Sequence, residues 1–384
     1  MDFDLPEETR ALQDMVRDFA AKEITPHAAR WSQDEHFPTP VFTKLGELGL
    51  MGMLVPEEYG GAGSDTVSYV AVMEELGAAD QSVASSWNAH STIASLPLLA
   101  YGSEEQKKRW LAPLARGSAI GAFGLTEPEA GSDAAGIATV ARRADGGWML
   151  NGTKMFITNA GTEMSQGVTL LAVTGRDDGD NKRYATFYVP TGTPGYTCGP
   201  QLKKLGWHAM DTRELVFADC WIPDDHLIGE EGSGLRQFLS VLDKGRISVA
   251  ALGLSLAKAA LALSVKHATE RHQFGRPLSA FQAVAHKIAD IGTEFEAARW
   301  MVYRAAWLAD QGRPYGTAAA MAKLYASEVA NRAASQALQI HGGYGYMRES
   351  DISRFYADAK ILEIGEGTNE IQRDVIARAL VKQA

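Results

Sequence analysis

Apolar residues in the first third of the chain recur every three or four positions, which is the spacing of an amphipathic helix. One run of this kind stops before Pro26. Its apolar members are Leu12, Met15, Val16, Phe19 and Ala20. Similar patterns over residues 41–53, 68–76 and 104–114 predict further helices, with a turn at residues 56–61. We therefore expect an N-terminal α-helical domain over residues 1–117.

The pattern changes between about residues 118 and 228, where short apolar runs are rich in β-forming residues. Residues 148–157 predict a β-hairpin with Asn151-Gly152 at its turn. Residues 168–173 and 184–189 predict two more strands, separated by a loop of Gly, Asp and Asn. Residues 214–223 end the β region. We therefore expect a middle β domain over residues 118–228.

Helical patterns return from about residue 234 onward. Residues 238–271, 281–311 and 315–340 are long, alanine-rich and amphipathic, and a fourth helix is predicted to begin near Thr368. Helices of this length suit a four-helix bundle. The fold class is therefore mainly α with a central β domain, and residues 229–384 form the C-terminal four-helix-bundle domain.

Composition and charge limit the classes of function. The chain has 384 residues and a formal net charge of −10, which argues against nucleic acid or an anionic membrane as the main partner. Its two cysteines form no C-x-x-C pair and fit a reducing compartment. The acidic N-terminus resembles neither a signal peptide nor an arginine-rich transit peptide, although a mature organellar protein stays possible. We expect no apolar run of membrane-spanning length.

Several motifs that announce a cofactor or a catalytic class are missing from the sequence. The pairs Gly61/Gly63, Gly232/Gly234 and Gly343/Gly345 all lack the third glycine of G-x-G-x-x-G, so a Rossmann domain is not expected. The sequence contains no Walker A loop, no H-E-x-x-H and no G-x-S-x-G. Its nine histidines are scattered, so we expect no metal site.

Glu366 stands between Gly365 and Gly367, just after a long apolar-periodic stretch. The flanking glycines would let a ligand approach the backbone closely. A carboxylate in a site that excludes water has a raised pKa, as a general base for a weakly acidic C–H proton requires. The alternative is a solvent-facing glutamate near the positive end of a helix dipole.

Five further segments carry candidate chemistry, although each also has an ordinary structural explanation. Residues 123–133 could be a plain loop, and residues 154–159 could be a strand that ends in hydroxyl and amide groups. Residues 270–277 could place arginines at a helix C-terminus, yet arginine is also the natural clamp for a pyrophosphate. Residues 243–246 lie near a helix start, and residues 339–346 resemble a glycine C-cap.

Taken together, the content, order and spacing of these segments resemble the acyl-CoA dehydrogenase family. The resemblance covers nearly the whole chain, including residues 102–110 and 204–207. It implies an N-terminal α-helical domain, a middle β-barrel-like domain and a C-terminal four-helix bundle.

The resemblance also implies a site. Glu366 matches the catalytic base, and FAD is the implied cofactor. One cofactor-binding set matches the middle domain: Phe123, Leu125, Thr126, Gly131, Ser132, Phe156, Ile157 and Thr158. Phe156 stands where the family often has tryptophan. A second set matches residues that hold FAD across a subunit interface: Arg271, Gln273, Phe274, Phe281, Gln282, Gln339, Ile340, Gly342 and Gly343. The resemblance also implies that the residues following the base, Thr368, Asn369 and Glu370, bind the cofactor. The implied substrate-binding residues are Ser132, Asp243, Arg246 and Gly367.

Some family members place the base near the start of the long helix in the third domain. Gly245 occupies that position here and cannot act as a base. Glu366 stands at the alternative position, which short-, medium- and several branched-chain enzymes use. The two observations agree, and they favour a short- to medium-chain or short branched-chain acyl-CoA.

The activity implied by the resemblance is dehydrogenation of an acyl-CoA to a trans-2-enoyl-CoA. Glu366 would remove the α-proton while the β-hydrogen leaves as hydride, and the thioester oxygen would be stabilised by the Glu366 N–H and an FAD hydroxyl. The implied acceptor is an electron-transferring flavoprotein, the implied assembly is a homotetramer, and the implied location is the bacterial cytoplasm or, as a second choice, the mitochondrial matrix. An acyl-CoA oxidase, a relative acting on another acid or a nitroalkane, and a non-catalytic binding protein are the alternatives.

Overall fold

The N-terminal part of the chain is helical, as predicted. The computed structural model describes residues 4–382. Its first helices are α1 Glu7–Glu23, α2 Thr25–Asp34, α3 Thr39–Glu47, α4 Thr66–Ala79, α5 Gln81–Ala89, α6 Ser95–Tyr101, α7 Glu104–Gln106 and α8 Ala112–Ala115. The π-helical turn His90–Ala94 joins α5 to α6, and the π-helical turn Lys107–Leu111 joins α7 to α8.

Local sequence explains where these helices begin and end. The Asp65 and Asp80 carboxylates accept the N–H groups of Ser68 and Val83, and so cap α4 and α5. The helix expected over residues 41–53 is wrong beyond Glu47. Gly49 follows that end with a φ of 74°, a left-handed conformation that stops a helix.

The middle of the chain forms an eight-stranded sheet in the order β6-β7-β3-β2-β4-β5-β8, with β1 pairing parallel to β4. The strands are β1 Ile120–Gly124, β2 Val140–Ala144, β3 Gly147–Thr158, β4 Ser165–Arg176, β5 Lys182–Pro190, β6 Tyr196–Cys198, β7 Thr212–Pro223 and β8 Leu227–Ile228. The sheet curls around its own core, because Trp148 of β3 and Phe187 of β5 touch with ring centroids 5.2 Å apart. The predicted β-barrel-like domain therefore has its core inside the curl.

The predicted hairpin turn at Asn151-Gly152 is wrong. Both residues lie inside the continuous strand β3, where the register against β7 shifts between Leu150 and Gly152. The Asn151 side chain bonds Asp219 on β7, and a Cβ at Gly152 would lie 2.6 Å from the Thr139 Cα. The pair thus marks a β-bulge with a close backbone approach.

The C-terminal part contains the predicted bundle. Its helices are α9 Gly234–Glu270, α10 Gln282–Asp310, α11 Gly316–His341, α12 Asp351–Ala359 and α13 Asn369–Val381, and a small hairpin of β9 His272–Gln273 and β10 Arg276–Pro277 follows α9. Helices α9, α10 and α11 pack on one another, and α13 packs on α11. Helix α12 was not predicted. Ile352, Phe355 and Ala359 recur at helical spacing, but the helix is only nine residues long and its buried face also includes Arg354 and Asp358.

The N-terminal helices and the bundle share one hydrophobic core. Helix α4 packs against both α9 and α10, and a single buried cluster includes Tyr69, Leu76, Leu254, Val302 and Ala330. This packing places the N-terminal end of α9, the α4–α5 region and the segment before α13 next to one another. The candidate site lies at that junction.

The expectation that no apolar run reaches membrane-spanning length is wrong for helix α9. A window of it is long and apolar enough to cross a membrane by length and composition, with a mean hydropathy of 1.8. Of that window, 78% is buried inside the protein. Its apolar character is therefore accounted for by packing in the shared core.

Candidate active site

Glu366 lies in a tight segment between the 3-10 turn Lys360–Glu363 and α13. Its φ is 51° and that of Gly367 is 91°, so two successive residues adopt left-handed conformations. Such a conformation strains a residue that carries a Cβ, and strain of this kind concentrates at functional sites. Thr368 then caps α13 by accepting the Ile371 N–H at 3.4 Å. The segment thus presents Glu366 from a fixed, strained turn.

The two oxygens of the Glu366 carboxylate have different surroundings. Oε1 accepts a hydrogen bond of 3.4 Å from the Asn88 amide, which is in turn oriented by the Tyr69 hydroxyl, donating to Asn88 Oδ1 at 2.9 Å. Oε2 is buried, and no group within residues 4–382 donates a hydrogen bond to it. One oxygen is therefore held, and the other is free to accept a proton.

Burial raises the pKa of Glu366 to about 7. The positive charges of Lys323 and Arg246 and the hydrogen bond from Asn88 act in the opposite direction, and they only partly offset the burial. A carboxylate with a pKa near neutrality suits a general base, because its basicity is raised while a large fraction stays ionised.

Gly245 on α9 packs directly against the free oxygen. A Cβ placed on Gly245 would lie 2.1 Å from Glu366 Oε2 and 3.6 Å from an Ile93 methyl group. The absence of a side chain at this position is therefore what leaves room for the Glu366 carboxylate. The two sequence positions considered for the base converge on one place in the fold.

The predicted substrate-side residues Asp243 and Arg246 lie in the same region. The Arg246 guanidinium forms an ion pair with Asp243, and its charge acts on Glu366. Gly367 directly follows the base. The structure thus brings these three residues together with Glu366, whereas Ser132 lies exposed in the loop after β1.

The two predicted flavin segments of the middle domain are joined by a buried ion pair. Lys154 on β3 donates to Glu127 Oε1 at 2.7 Å and to the Leu125 carbonyl at 3.0 Å. The Glu127 carboxylate also accepts the N–H of Thr139 at 3.0 Å. A backbone bond from Met155 to the Thr126 carbonyl, 2.8 Å long, completes the connection. The residue 125–127 stretch therefore holds a fixed position beside the end of β3.

Phe156, near the end of β3, presents its ring to solvent. Its φ is 62° and its side chain is 65% exposed, an unusual combination for a phenylalanine. Ile157 is buried in the core of the sheet, and Thr158 is half-buried. Phe123 also packs inward, where it stacks on Phe238 of α9 with centroids 4.3 Å apart. Of the two predicted phenylalanine contacts of the middle domain, Phe156 is therefore the one whose ring is open to a planar ligand.

The second predicted cofactor set gathers at a cleft of about 480 Å³. Its lining includes Arg271, Gln273, Ile340, Gly342 and Gly343. Beside the cleft, Phe274 has a φ of 52° and is 93% exposed. Phe281 touches Phe274 edge-on, with ring centroids 6.1 Å apart. The remaining predicted residues of this set, Gln282 and Gln339, are exposed.

A polar cleft of about 420 Å³ contains the last predicted group, Thr368, Asn369 and Glu370. The cleft around Arg271 and the open aromatic rings fit a ligand with a pyrophosphate and a planar ring system. Arg271 offers a guanidinium, Gly342 and Gly343 offer unobstructed backbone, and Phe156 and Phe274 offer exposed ring faces. The residues present therefore suit FAD. The assignment of each residue to FAD stays a prediction.

Sequence reasoning missed Asn88, Tyr69 and Lys323. Lys323 lies on α11 and donates to the Gly367 carbonyl at 2.9 Å and to Asn369 Oδ1 at 3.0 Å. The available signal was a lysine on a helix face whose neighbours Ala319, Ala320, Ala322 and Ala326 are all apolar. Asn88 gave no comparable signal, because a polar residue near a helix end is common.

Three family models match this chain. They describe the acyl-CoA dehydrogenase N-terminal domain at residues 6–118, the middle domain at residues 122–220 and the C-terminal domain at residues 232–381. Among curated proteins, the probable acyl-CoA dehydrogenase YngJ of Bacillus subtilis (strain 168) is 49% identical to this chain over 382 residues. The match covers 100% of both chains.

Two solved structures share the fold throughout. Butyryl-CoA dehydrogenase from Megasphaera elsdenii is 40% identical with a TM-score of 0.95, over 99% of this chain and 100% of that one. A chain in the structure of the electron transferring flavoprotein of Acidaminococcus fermentans, a study of flavin-based electron bifurcation, is 42% identical with a TM-score of 0.95, over 99% of both chains.

Proposed function

Because the chain belongs to the acyl-CoA dehydrogenase family of FAD-dependent oxidoreductases, we propose that it converts an acyl-CoA thioester to a trans-2-enoyl-CoA with Glu366 as the base. The observation that carries this proposal is the buried Oε2 of Glu366, which has no donor within residues 4–382 and lies against Gly245. At Glu366 this oxygen is combined with a strained left-handed turn and with a neighbouring glycine that leaves room for the carboxylate, as expected of a reactive group.

The α-hydrogen of a thioester is weakly acidic, so its removal requires a base of raised pKa held close to the carbon. Asn88 holds Oε1, so that Oε2 receives the proton. When bound, FAD supplies the acceptor for the β-hydrogen, which leaves as hydride. The Glu366 N–H is the backbone donor proposed for the thioester oxygen, whose negative charge grows as the α-proton leaves.

We propose the ion pair of Arg246 and Asp243 as the contact for the CoA portion. Both residues lie on α9 within two positions of Gly245, so a thioester that reaches Glu366 passes close to them. The Arg246 side chain is largely buried, which strengthens its attraction for an anionic ligand.

The acyl group is proposed to be short to medium in length, or short and branched. The position of the base and the similarity to butyryl-CoA dehydrogenase support this choice. An electron-transferring flavoprotein is the proposed acceptor, supported by the match to a chain from a structure of such a flavoprotein. The proposed assembly is a homotetramer with one FAD per subunit.

The test is an anaerobic titration of the purified flavoprotein with butyryl-, isobutyryl- and octanoyl-CoA. We expect bleaching of the flavin band with at least one of them, and formation of the matching enoyl-CoA by mass spectrometry. The same reaction in air should give little peroxide without an added acceptor. Rapid stoichiometric peroxide would instead identify an acyl-CoA oxidase, and the lack of bleaching with all three thioesters would contradict the proposal.

A further inference from the structure

Lys323 is a buried lysine that the proposed mechanism does not use. It lies on α11, and its side chain is 0% exposed. Lysine is almost never fully buried unless its charge is paired. The acceptors of its ammonium group are two neutral oxygens, the Gly367 carbonyl and the Asn369 side-chain oxygen. Its burial therefore calls for a reason beyond a simple ion pair.

Stabilisation of helix α13 does not supply that reason. The helix begins at Asn369, so Lys323 places a positive charge at the end where the helix dipole is itself positive. A neutral donor could make the same two hydrogen bonds without this cost. The charge must therefore act on another group.

The carboxylate of Glu366 is the group on which this charge acts. Gly367, which Lys323 holds, is the next residue, and the positive charge of Lys323 lowers the pKa of Glu366 against the effect of burial. Burial in turn lowers the pKa of Lys323 to about 8, and the charge of Glu366 opposes that fall. The two groups are therefore coupled across the strained turn.

The other charged groups that act on the pair have hydrogen-bond partners of their own, Glu370 with Thr368 among them. Arg246 on α9 also acts on Glu366, but it is paired with Asp243. Tyr69 on α4 faces Glu366 as a neutral phenol, since burial raises its pKa well above the usual value. Glu363 and Glu370 act on Lys323, but Glu363 is bonded to Lys360.

We propose that Lys323 is a positioning residue for Glu366, which fixes the left-handed turn through the Gly367 carbonyl and supplies a buried positive charge that keeps the base ionised. This inference rests on the proposed role of Glu366 as the base.

Gln372 on α13 offers a matched control. Its amide donates to the same Gly367 carbonyl at 2.9 Å, the same distance as the bond from Lys323. Gln372→Met therefore removes one hydrogen bond to this carbonyl and no charge. Lys323→Met removes a hydrogen bond to this carbonyl together with the charge, and Lys323→Gln removes the charge while keeping an amide donor.

The experiment measures base strength without hydride transfer. Each variant is incubated in D2O with 3-thiabutanoyl-CoA, whose sulfur replaces the β-carbon, so that only α-hydrogen exchange can occur. Exchange is followed by mass spectrometry from about pH 5.5 to pH 9. FAD content, melting temperature and the rate of flavin reduction by a true substrate are recorded in parallel.

In both neutral Lys323 variants we expect the apparent pKa of α-hydrogen exchange to rise. At pH 6 the exchange rate should be at least about tenfold below that of the wild type. Above pH 8 the difference between the two rates should be smaller. Gln372→Met should keep the wild-type apparent pKa. A wild-type pKa in Lys323→Gln, or an equal shift in Gln372→Met, would overturn the proposal.

Two other outcomes are also decisive. Loss of folding in both neutral variants would assign Lys323 to the fold, and so would overturn the proposal as well. A wild-type protein that neither exchanges α-hydrogen nor bleaches with any acyl-CoA would instead show that the proposed function is wrong, and the role of Lys323 would fall with it.

Discussion

Glu366 performs the proposed proton transfer through a single oxygen, so its removal should separate chemistry from binding. Glu366→Gln keeps the size of the side chain and can still accept from Asn88. We expect flavin reduction by a good acyl-CoA to fall by roughly 10²–10⁴-fold or more, with FAD content and acyl-CoA binding retained. Anaerobic stopped-flow absorbance measures this change, and bleaching at the wild-type rate would refute the assignment.

The pKa of Glu366 predicts how the rate depends on pH. The base must be ionised to accept the α-proton, and burial raises its pKa to about 7. The rate of flavin reduction at low substrate concentration should therefore rise about tenfold per pH unit below 7 and level off above it. A profile that is already flat at pH 5 would indicate a base with an ordinary carboxyl pKa and would contradict the burial argument.

Gly245 allows a test of position without any change in chemistry. Gly245→Ala would bring a methyl group within 2.1 Å of Glu366 Oε2, and the flexible carboxylate must move away. We expect flavin reduction to fall by about 10- to 100-fold, because small misplacements of reacting groups have large effects. The melting temperature should change little.

Gly292→Ala is the matched control for this substitution. Gly292 is also helical, and its nearest neighbour would lie 4.0 Å from the new methyl group. Its flavin reduction should match that of the wild type. Equal rates for the two variants would show that Gly245 does not confine the base.

Sequence reasoning reached Glu366 and Gly245 because glycines around a lone carboxylate are visible in the chain itself. It missed Asn88 and Lys323, because their roles depend on which helix faces lie side by side. Asn88 comes from α5 and Lys323 from α11, 278 and 43 positions before the base. No spacing rule connects positions so far apart.

At the scale of elements, charged groups fasten α12 to the segment before β7 and to the N-terminal end of α5. Asp358 accepts the Trp207 N–H at 2.5 Å, while Arg354 donates to Asp80 at 2.7 Å. Arg354 pairs with the buried Asp80 and with the partly exposed Asp351, whereas its charge acts on Asp358 without a hydrogen bond. Burial raises the pKa of Asp358 to about 7, with a smaller contribution in the same direction from the negative charge of Asp80.

A raised carboxyl pKa means that the stability contributed by protonated Asp358 is fully present below the ordinary value of 3.8 and is lost progressively as the pH rises to about 7. Asparagine cannot ionise and can still accept from Trp207. Asp358→Asn should therefore melt at least about 2 °C above the wild type at pH 8, with a smaller difference at pH 5. Thermal unfolding at both pH values measures this, and a variant less stable than wild type at pH 8 would contradict it.

The elements show which patterns in a sequence are reliable. The long helices α9, α10 and α11 were predicted within a few residues, because their apolar period extends over many turns. The Asn151-Gly152 pair led to a wrong prediction, because the same two residues suit both a hairpin turn and a β-bulge. The pairing of β3 with β7 determines that a bulge forms. Helix α12 was missed because it is short, so that Ile352, Phe355 and Ala359 supply only two turns of apolar period, with the charged Arg354 and Asp358 among them.

At the scale of the whole molecule, the cleft around Arg271 is proposed to hold FAD between subunits. Arg271 lines the cleft with Gly342 and Gly343, and its guanidinium lies 5.6 Å from the centre of the Tyr344 ring. Arg271→Ala should lose FAD more readily on dilution and shift the assembly toward smaller species. Size-exclusion chromatography with flavin absorbance detects both effects.

The control for this experiment is Arg313→Ala. Arg313 lies in the turn after α10 and contacts the Trp307 ring, with its guanidinium 5.3 Å from the ring centroid, and it does not line the cleft. It should leave FAD retention and assembly unchanged. Equal retention of FAD in both variants, with an intact tetramer, would argue against the assignment of Arg271.

The shared core of α4, α9 and α10 has a consequence for how this fold can be recombined. The carboxylate of Glu366 is confined by Asn88 of the N-terminal helices and by Gly245 of the C-terminal bundle. These two parts of the chain must therefore be exchanged together. The inside of the curled sheet between them has its own core, and the sheet meets α9 through contacts such as Phe123 on Phe238. In chimaeras with a relative, we expect exchange of the sheet to be tolerated, whereas exchange of the first helices alone should leave a folded middle domain and a misplaced base.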